Sequence, residues 1–304
     1  MARRDWRRLP WRNPVVVKEL RSRMRGRRAF VILSVYLALM AGLVLLVYLP
    51  FASLSSAGFG GPNPREVGLA LYSMVMVVQV ALVVFIGPAF TAGAISGEKE
   101  RQTYDLLRTT LLPARSLVAG KLFSALAYVL LLVFVSLPVQ GLAFFFGGIS
   151  LVEIVIAQLL IVMSALAFAL MGLFFSTRFR STLASSVATF AAALTLTIGT
   201  PVMAAIAGSM LAAFMALRLG TSWWEQALAA YAGIAAAATN LPATLIMSDV
   251  FLREGDSIFG TFQMFNSHRL FMPSPWYLFL LIYGLASLIL FKAVVRRVHR
   301  TPDR

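Results

Sequence analysis

The chain is predicted to be an all-α polytopic membrane protein with six transmembrane helices. Three observations predict this. Hydrophobic residues make up 60% of 304 and charged residues only 13%. Mean hydropathy is +0.83, far above that of a soluble domain. Apolar runs of roughly 20 residues or more, long enough to cross about 30 Å of hydrocarbon, recur along the chain without a polar face at the 3.6-residue period.

The spans fall at about 30–50, 67–95, 122–146, 152–176, 183–215 and 276–295. Before them, residues 1–29 form a cytoplasmic N-terminus. Asn13 followed by Pro14 is a helix start, an N-cap with proline at the first position. Val16, Leu20 and Met24 then recur at i, i+4, i+8 among basic residues, which predicts an amphipathic helix lying in the membrane interface. The first run is of full span length and follows polar residues, so it reads as a span and not as a cleavable leader. The second and fifth runs are overlong, and Gly87–Pro88 and Gly199–Thr200–Pro201 predict kinks within them.

Charge predicts the orientation. With six spans, all Lys and Arg except Arg65, Arg218, Arg253 and Arg269 fall on one side. Positive residues stay in the cytoplasm, so both termini, the segment 96–121 and the tail 296–304 are expected there. Residues 226–247 are uncharged and long enough for a seventh span, but accepting it would put the basic C-terminus outside. Asn240 and Pro242 interrupt it, so 216–275 reads as an external region with re-entrant or cap helices before the last span.

Composition excludes several functions. The net charge of +15 flanks spans, where it meets anionic headgroups, and no soluble basic domain is present to bind nucleic acid. The chain has no cysteine, which removes disulfides, thiolate metal sites and cysteine nucleophiles. No paired intramembrane aspartates and no HExxH motif occur. Asp249, Asp256, Ser267 and His268 read as solvated loop residues, since nothing supplies an ordered triad. Glu153 is expected at the external end of span four, where a charge costs little. The absence of mid-span ionisable residues argues against a proton- or sodium-coupled carrier and favours amphiphilic or hydrophobic cargo. Gln79, Gln140, Gln158, Thr189, Thr195 and Thr197 are expected to hydrogen-bond between helices. Ala89, Gly93 and Gly97 form a small-residue stripe suited to packing against another helix, a candidate dimer face.

The segment 96–121, SGEKERQTYDLLRTTLLPARSLVAGK, is the charged link between spans two and three. Ser96 is placed to cap a helix, with Glu98 and Glu100 in its first turn, where the helix dipole favours negative charge. Tyr104, Leu107 and Leu111 make an apolar stripe. Arg101, Asp105 and Arg108 make a charged face, with Arg101 and Asp105 spaced to pair. Leu112–Pro113 ends this helix and starts the next. An apolar stripe on the cytoplasmic side requires lipid or another protein to cover it. An ordinary charged linker would need neither cap nor stripe nor corner.

At these residues the chain resembles the permease subunits of type-2, exporter-like ABC transporters. The likeness rests on GEKERQTYDLLRTT and LLPARSLVAGK, on NPVVVKELRSRMRGRR before span one, on Asn-Leu-Pro-Ala at 240–243, and on PSPWYLFLLIYGLASLILFKAVVRRVHR at the end. The family's Asn-Pro is separated here by Leu241.

The resemblance implies a multi-pass subunit of the cell (plasma or inner) membrane, paired with a second permease subunit and driven by a separate ABC ATPase. Residues 103–112 would then be the cytoplasmic coupling helix. Thr103, Tyr104, Asp105, Leu107, Arg108 and Leu111 would face the ATPase, with Glu98, Glu100 and Arg101 as a charged hinge. The chain contains no G-x-x-x-x-G-K-[ST] phosphate loop, so it is expected to be no enzyme and to hold no cofactor, ATP being bound by the partner. The competing reading is a non-transporting scaffold or assembly factor that recruits a soluble cytoplasmic protein through the same helix.

Overall fold

The computed structural model describes residues 27–56, 63–103, 113–217, 222–254, 257–265 and 268–300. Val16, Leu20 and Met24 of the expected interfacial helix lie outside the described residues, as do Tyr104, Asp105, Leu107, Arg108 and Leu111 of the expected coupling helix. Six helical segments are long and apolar enough to cross a membrane. They are α1 (Arg27–Ser56), α2 (Pro64–Thr91), α4 (Ala114–Phe145), α5 (Leu151–Arg178), a fifth segment and α10 (Pro275–Arg300). Between α2 and α4 lies the short helix α3 (Ser96–Glu100).

Helix α5 is the centre of the bundle and packs against α2, α4, α10 and α6 (Thr182–Leu194). The largest core joins α1, α2, α4 and α5 through Met40, Leu71, Val75, Val83, Leu132 and Ile161. With no hydrophobic drive between helices in lipid, close backbone approach and polar contacts must hold the bundle. Both are present. A side chain on Gly172 would collide with Thr91, and one on Gly148 would meet the backbone of Gly68.

The polar contact at mid-bundle is a glutamine knot. Gln79 Nε2 donates to Ser136 Oγ and to Gln158 Oε1 (3.3 Å), and Gln158 Nε2 donates back to Gln79 Oε1 at 3.2 Å. Gln158 also donates to Gln140 Oε1 at 2.9 Å. The expectation of interhelical hydrogen bonds is met by the glutamines, across α2, α4 and α5, whereas the Thr189 and Thr197 hydroxyls donate within their own segment, to Ser185 O and Ala193 O.

The fifth segment carries a π-helical turn, Thr195–Gly199, between α6 and α7 (Thr200–Leu217). Pro201 has no N–H, so the carbonyl four residues earlier, on Thr197, loses its helical donor. Asn240 Nδ2 replaces it, donating to Thr197 O at 3.0 Å and to Leu196 O at 2.6 Å. Meanwhile Asn240 Oδ1 accepts from Ala243 N (3.0 Å) and so caps α9. Asn240 therefore separates α8 (Trp223–Ala237) from α9 (Leu241–Glu254) and ties both to the fifth segment. A π-helical irregularity at Thr195–Gly199 stands where a kink is predicted, but the segment stays continuous, and α2 likewise runs through Gly87–Pro88 as one helix.

Further sequence expectations need correction. The stretch 216–275 was expected to be helical or loop, but it contains a hairpin of β1 (Gly260–Phe265) and β2 (His268–Pro273), antiparallel with Phe265 opposite His268. Alternating Phe262 and Met264, and the two residues between the strands, carry that signal weakly. The hairpin rests on α8, with Tyr231 Oη donating to Phe271 O (2.7 Å) and the His268 ring against Trp223. Glu153 is not a solvated end charge: it is buried and closes a capping box with Ser150. Gly93 and Gly97 face Thr182 of the same chain, so an intrachain contact occupies that stripe.

Asn240→Ala should lower the SDS-unfolding stability of the purified protein by about 1–2 kcal/mol, since it removes a cap and two carbonyl partners. Gln158→Leu should cost less, about 0.6–1 kcal/mol. Equal stability of Asn240→Ala and the parent would show that the π turn finds other donors.

Candidate functional site

Two places in the fold stand out, one a polar elbow and the other an apolar groove with a charged pair. The first is the elbow joining α2 to α4. Its backbone turns at Ala92–Ile95, which leaves N–H groups without helical acceptors. Ser176 Oγ on α5 takes two of them, accepting from Ile95 N (2.8 Å) and Ser96 N (2.9 Å). Ser185 Oγ on α6 donates to Ala92 O at 2.6 Å. Ser96 is not the N-cap expected of it. Ile95 holds that position, and the Ser96 hydroxyl is buried and donates back to Ala92 O.

Each acidic residue of the expected hinge has a definite partner. Glu98 Oε1 accepts from Lys121 Nζ at 2.7 Å, and Lys121 also donates to Ala94 O at 2.7 Å. Lys121 is only 3% exposed and Glu98 24%, so a buried cation meets a partly exposed carboxylate, joining α3 to α4. Glu100 accepts from Thr182 N at 2.7 Å and from Thr182 Oγ1, a carboxylate placed at the positive N-terminus of α6. Lys99 Nζ donates to Thr177 O (2.8 Å) at the C-terminus of α5, where a cation is favoured. Arg101 and Thr103 are exposed.

Helix α3 ends with Thr103 N donating to Glu98 O and Gln102 N to Lys99 O, a Schellman closure. Gln102 takes the left-handed position (φ 57°) usually given to glycine, a strained choice just before the expected coupling helix. Beneath the elbow, Ile95, Leu117, Leu173, Val294 and Val298 form a separate apolar core that includes the end of α10.

Ser176, Thr182 and Ser185 escaped the sequence reading, and Lys121 was read as a topology cation and not as an ion-pair partner. Their contacts span 23 to 93 residues of chain, and isolated serines and threonines in apolar helices carry no spacing signal.

The second place is a groove of about 710 Å³ between α2, the π turn and α9. Its walls are apolar, from Met76, Val80 and Val84 on one side to Leu245 and Ile246 on the other. Among the described residues, the charged side chains lining it are Asp249 and Arg253. Arg253 donates from Nε (3.1 Å) and Nη2 (2.8 Å) to the same Asp249 Oδ1. Burial lifts the Asp249 carboxyl above its ordinary range, and Arg253 opposes that. Asp249 and His268 were grouped only as loop residues, and the structure separates them: one is paired with Arg253, the other stacked on Trp223. Ser267 and Asp256 lie outside the described residues.

Removing Glu98 should cost a few kcal/mol, because the charge of Lys121 stays buried without its carboxylate. Glu98→Ala should therefore lower the thermal unfolding midpoint in detergent, and adding Lys121→Met should recover part of the loss. Full additivity of the two changes would contradict the pairing.

Comparison with curated proteins gives no match. A family model does match, that of the ABC-2 family transporter proteins, over residues 14–295. It covers the elbow, the fifth segment and the groove alike, and it agrees with the resemblance carried by 96–121. A multi-pass bundle of six apolar segments with this match over nearly its whole length belongs to the ABC-2 transporter family.

Proposed function

We propose that the chain is the membrane-spanning permease subunit of an ATP-driven exporter, working by alternating access with a second permease subunit and two copies of a separate ABC ATPase. The elbow carries this reading. A segment that receives force from a soluble partner must be rigidly joined to the spans it moves. Here α3 is anchored to α4 by Glu98–Lys121, to α5 by Lys99–Thr177 and Ser96–Ser176, and to α6 by Glu100–Thr182. Displacement of residues 103–112 by an ATPase would thus reach α4, α5 and α6 through short polar contacts, and α2 through the chain itself.

In this reading the elbow end of the bundle is cytoplasmic, together with both termini, in agreement with the one-sided distribution of Lys and Arg. The protein sits in the cell inner membrane. Glu98, Glu100 and Arg101 form the hinge, Thr103 leads into the coupling helix, and ATP is bound by the partner. The groove between α2, the π turn and α9 is the cargo site. Motion of α6, which begins at the Glu100 contact, is continuous with the π turn that lines the groove.

A cognate ABC ATPase should co-purify with this chain, and the double change Leu107→Asp and Leu111→Asp should abolish the complex. Survival of the complex would sink the placement of the coupling helix. A scaffold protein would also bind a partner there, so a second readout separates the two. Glu100→Gln should leave the complex intact and reduce cargo-stimulated ATP turnover about fivefold, the equivalent of the roughly 1 kcal/mol lost when the carboxylate charge at the α6 N-terminus is neutralised. A scaffold would show no cargo stimulation at all.

A further inference from the structure

The charged pair at the end of the groove is out of keeping with its surroundings. Helix α2 lines the groove from Leu69 to Phe85, which at 1.5 Å per residue is about 24 Å. That exceeds the roughly 15 Å of hydrocarbon in one leaflet. The lips are apolar and exposed, Val77 and Phe85 on α2 facing Ile198 and Ile246. A charge beside such a surface is costly unless it is paired or has a polar ligand.

Asp249 and Arg253 lie at the end of the groove near Tyr72, away from Phe85. Asp249 shares a small cavity with Tyr72 and Glu153, and Arg253 shares another with Glu153 and with Arg65 in the first turn of α2, so two further charges of opposite sign stand behind the pair and outside the groove. Both contacts within the pair use the same oxygen, Asp249 Oδ1. Asp249 Oδ2 and Arg253 Nη1 take no part in those contacts. The pair therefore offers the groove one anionic acceptor and one cationic donor side by side, at the head of a long apolar channel.

We propose that this groove binds a long-chain amphiphile with a zwitterionic head, its tail along α2 and its head clamped by Asp249 and Arg253. The charges select the head. A purely anionic head meets Asp249 and a purely cationic one meets Arg253, so each singly charged head carries a repulsion that a zwitterion of matching order avoids. An uncharged head replaces neither charge's water. The inference rests on the reading of the groove as the cargo site and names the cargo class. Binding itself needs no ATPase.

The test is native mass spectrometry of the purified full chain. It is offered lysophosphatidylcholine, lysophosphatidylglycerol, an alkyltrimethylammonium and a monoacylglycerol, all of the same chain length. Lysophosphatidylcholine should be retained about tenfold more than each of the others, the worth of one hydrogen-bonded charge contact. Asp249→Asn with Arg253→Gln should erase the preference and leave the residual, tail-driven binding. Both side chains are part-exposed, so this variant keeps its fold. Val80→Trp should fill the channel and lower retention of all four.

Equal retention of the four heads by the parent protein would show annular lipid only and overturn the proposal. So would a preference that survives in the double variant. Failure of the permease reading looks different: the lipid preference would stand while no ATPase co-purified.

Discussion

In hydrocarbon no water is available to satisfy a backbone N–H or C=O, and this constraint organises the structure at each place where a helix departs from regularity. Pro201 removes a donor from the fifth segment, and Asn240 supplies one from another part of the chain. The elbow turns away from helical geometry at Ala92–Ile95, and Ser176 and Ser185 take up the groups set free. Irregular backbone inside the bundle is permitted only where a side chain from a neighbour completes it. Those neighbours thereby become coupled to the irregular segment.

The couplings lie on one mechanical line. Glu100 accepts from Thr182 at the start of α6, α6 runs into the π turn, and the π turn is held by Asn240, which also caps α9. Helix α9 carries Asp249 and Arg253 on the groove. A chain of short hydrogen bonds and one continuous helical segment therefore joins the elbow to the far end of the groove. The glutamine knot, by contrast, binds α2, α4 and α5 to one another with nearly every donor and acceptor matched, which suits a body that moves as a unit.

Much of this was legible in the residues. The six spans follow from run length, the irregularity near Pro201 from proline chemistry, and the interhelical role of the glutamines from the cost of a lone amide in lipid. The hairpin was not legible, because its strands are short and their alternation is interrupted by turn residues that also suit a loop. Glu153 was misread for a related reason. A carboxylate at a predicted span end is usually solvated; Ser150-x-x-Glu153 before an apolar run already spells a capping box, but the burial of the carboxylate follows only from the fold.

The sequence by itself determined that the protein is a bundle of apolar helices, which segment interrupts them, and the asymmetry of its charge. Those properties depend on composition and local spacing. Tertiary structure decided that Lys121 is buried against Glu98, that Gly93 and Gly97 pack within the chain, and that Asp249 and Arg253 meet an apolar groove. These are contacts between residues far apart in the chain. Their strength comes from the low dielectric of the packed interior, which exists only once the helices have assembled.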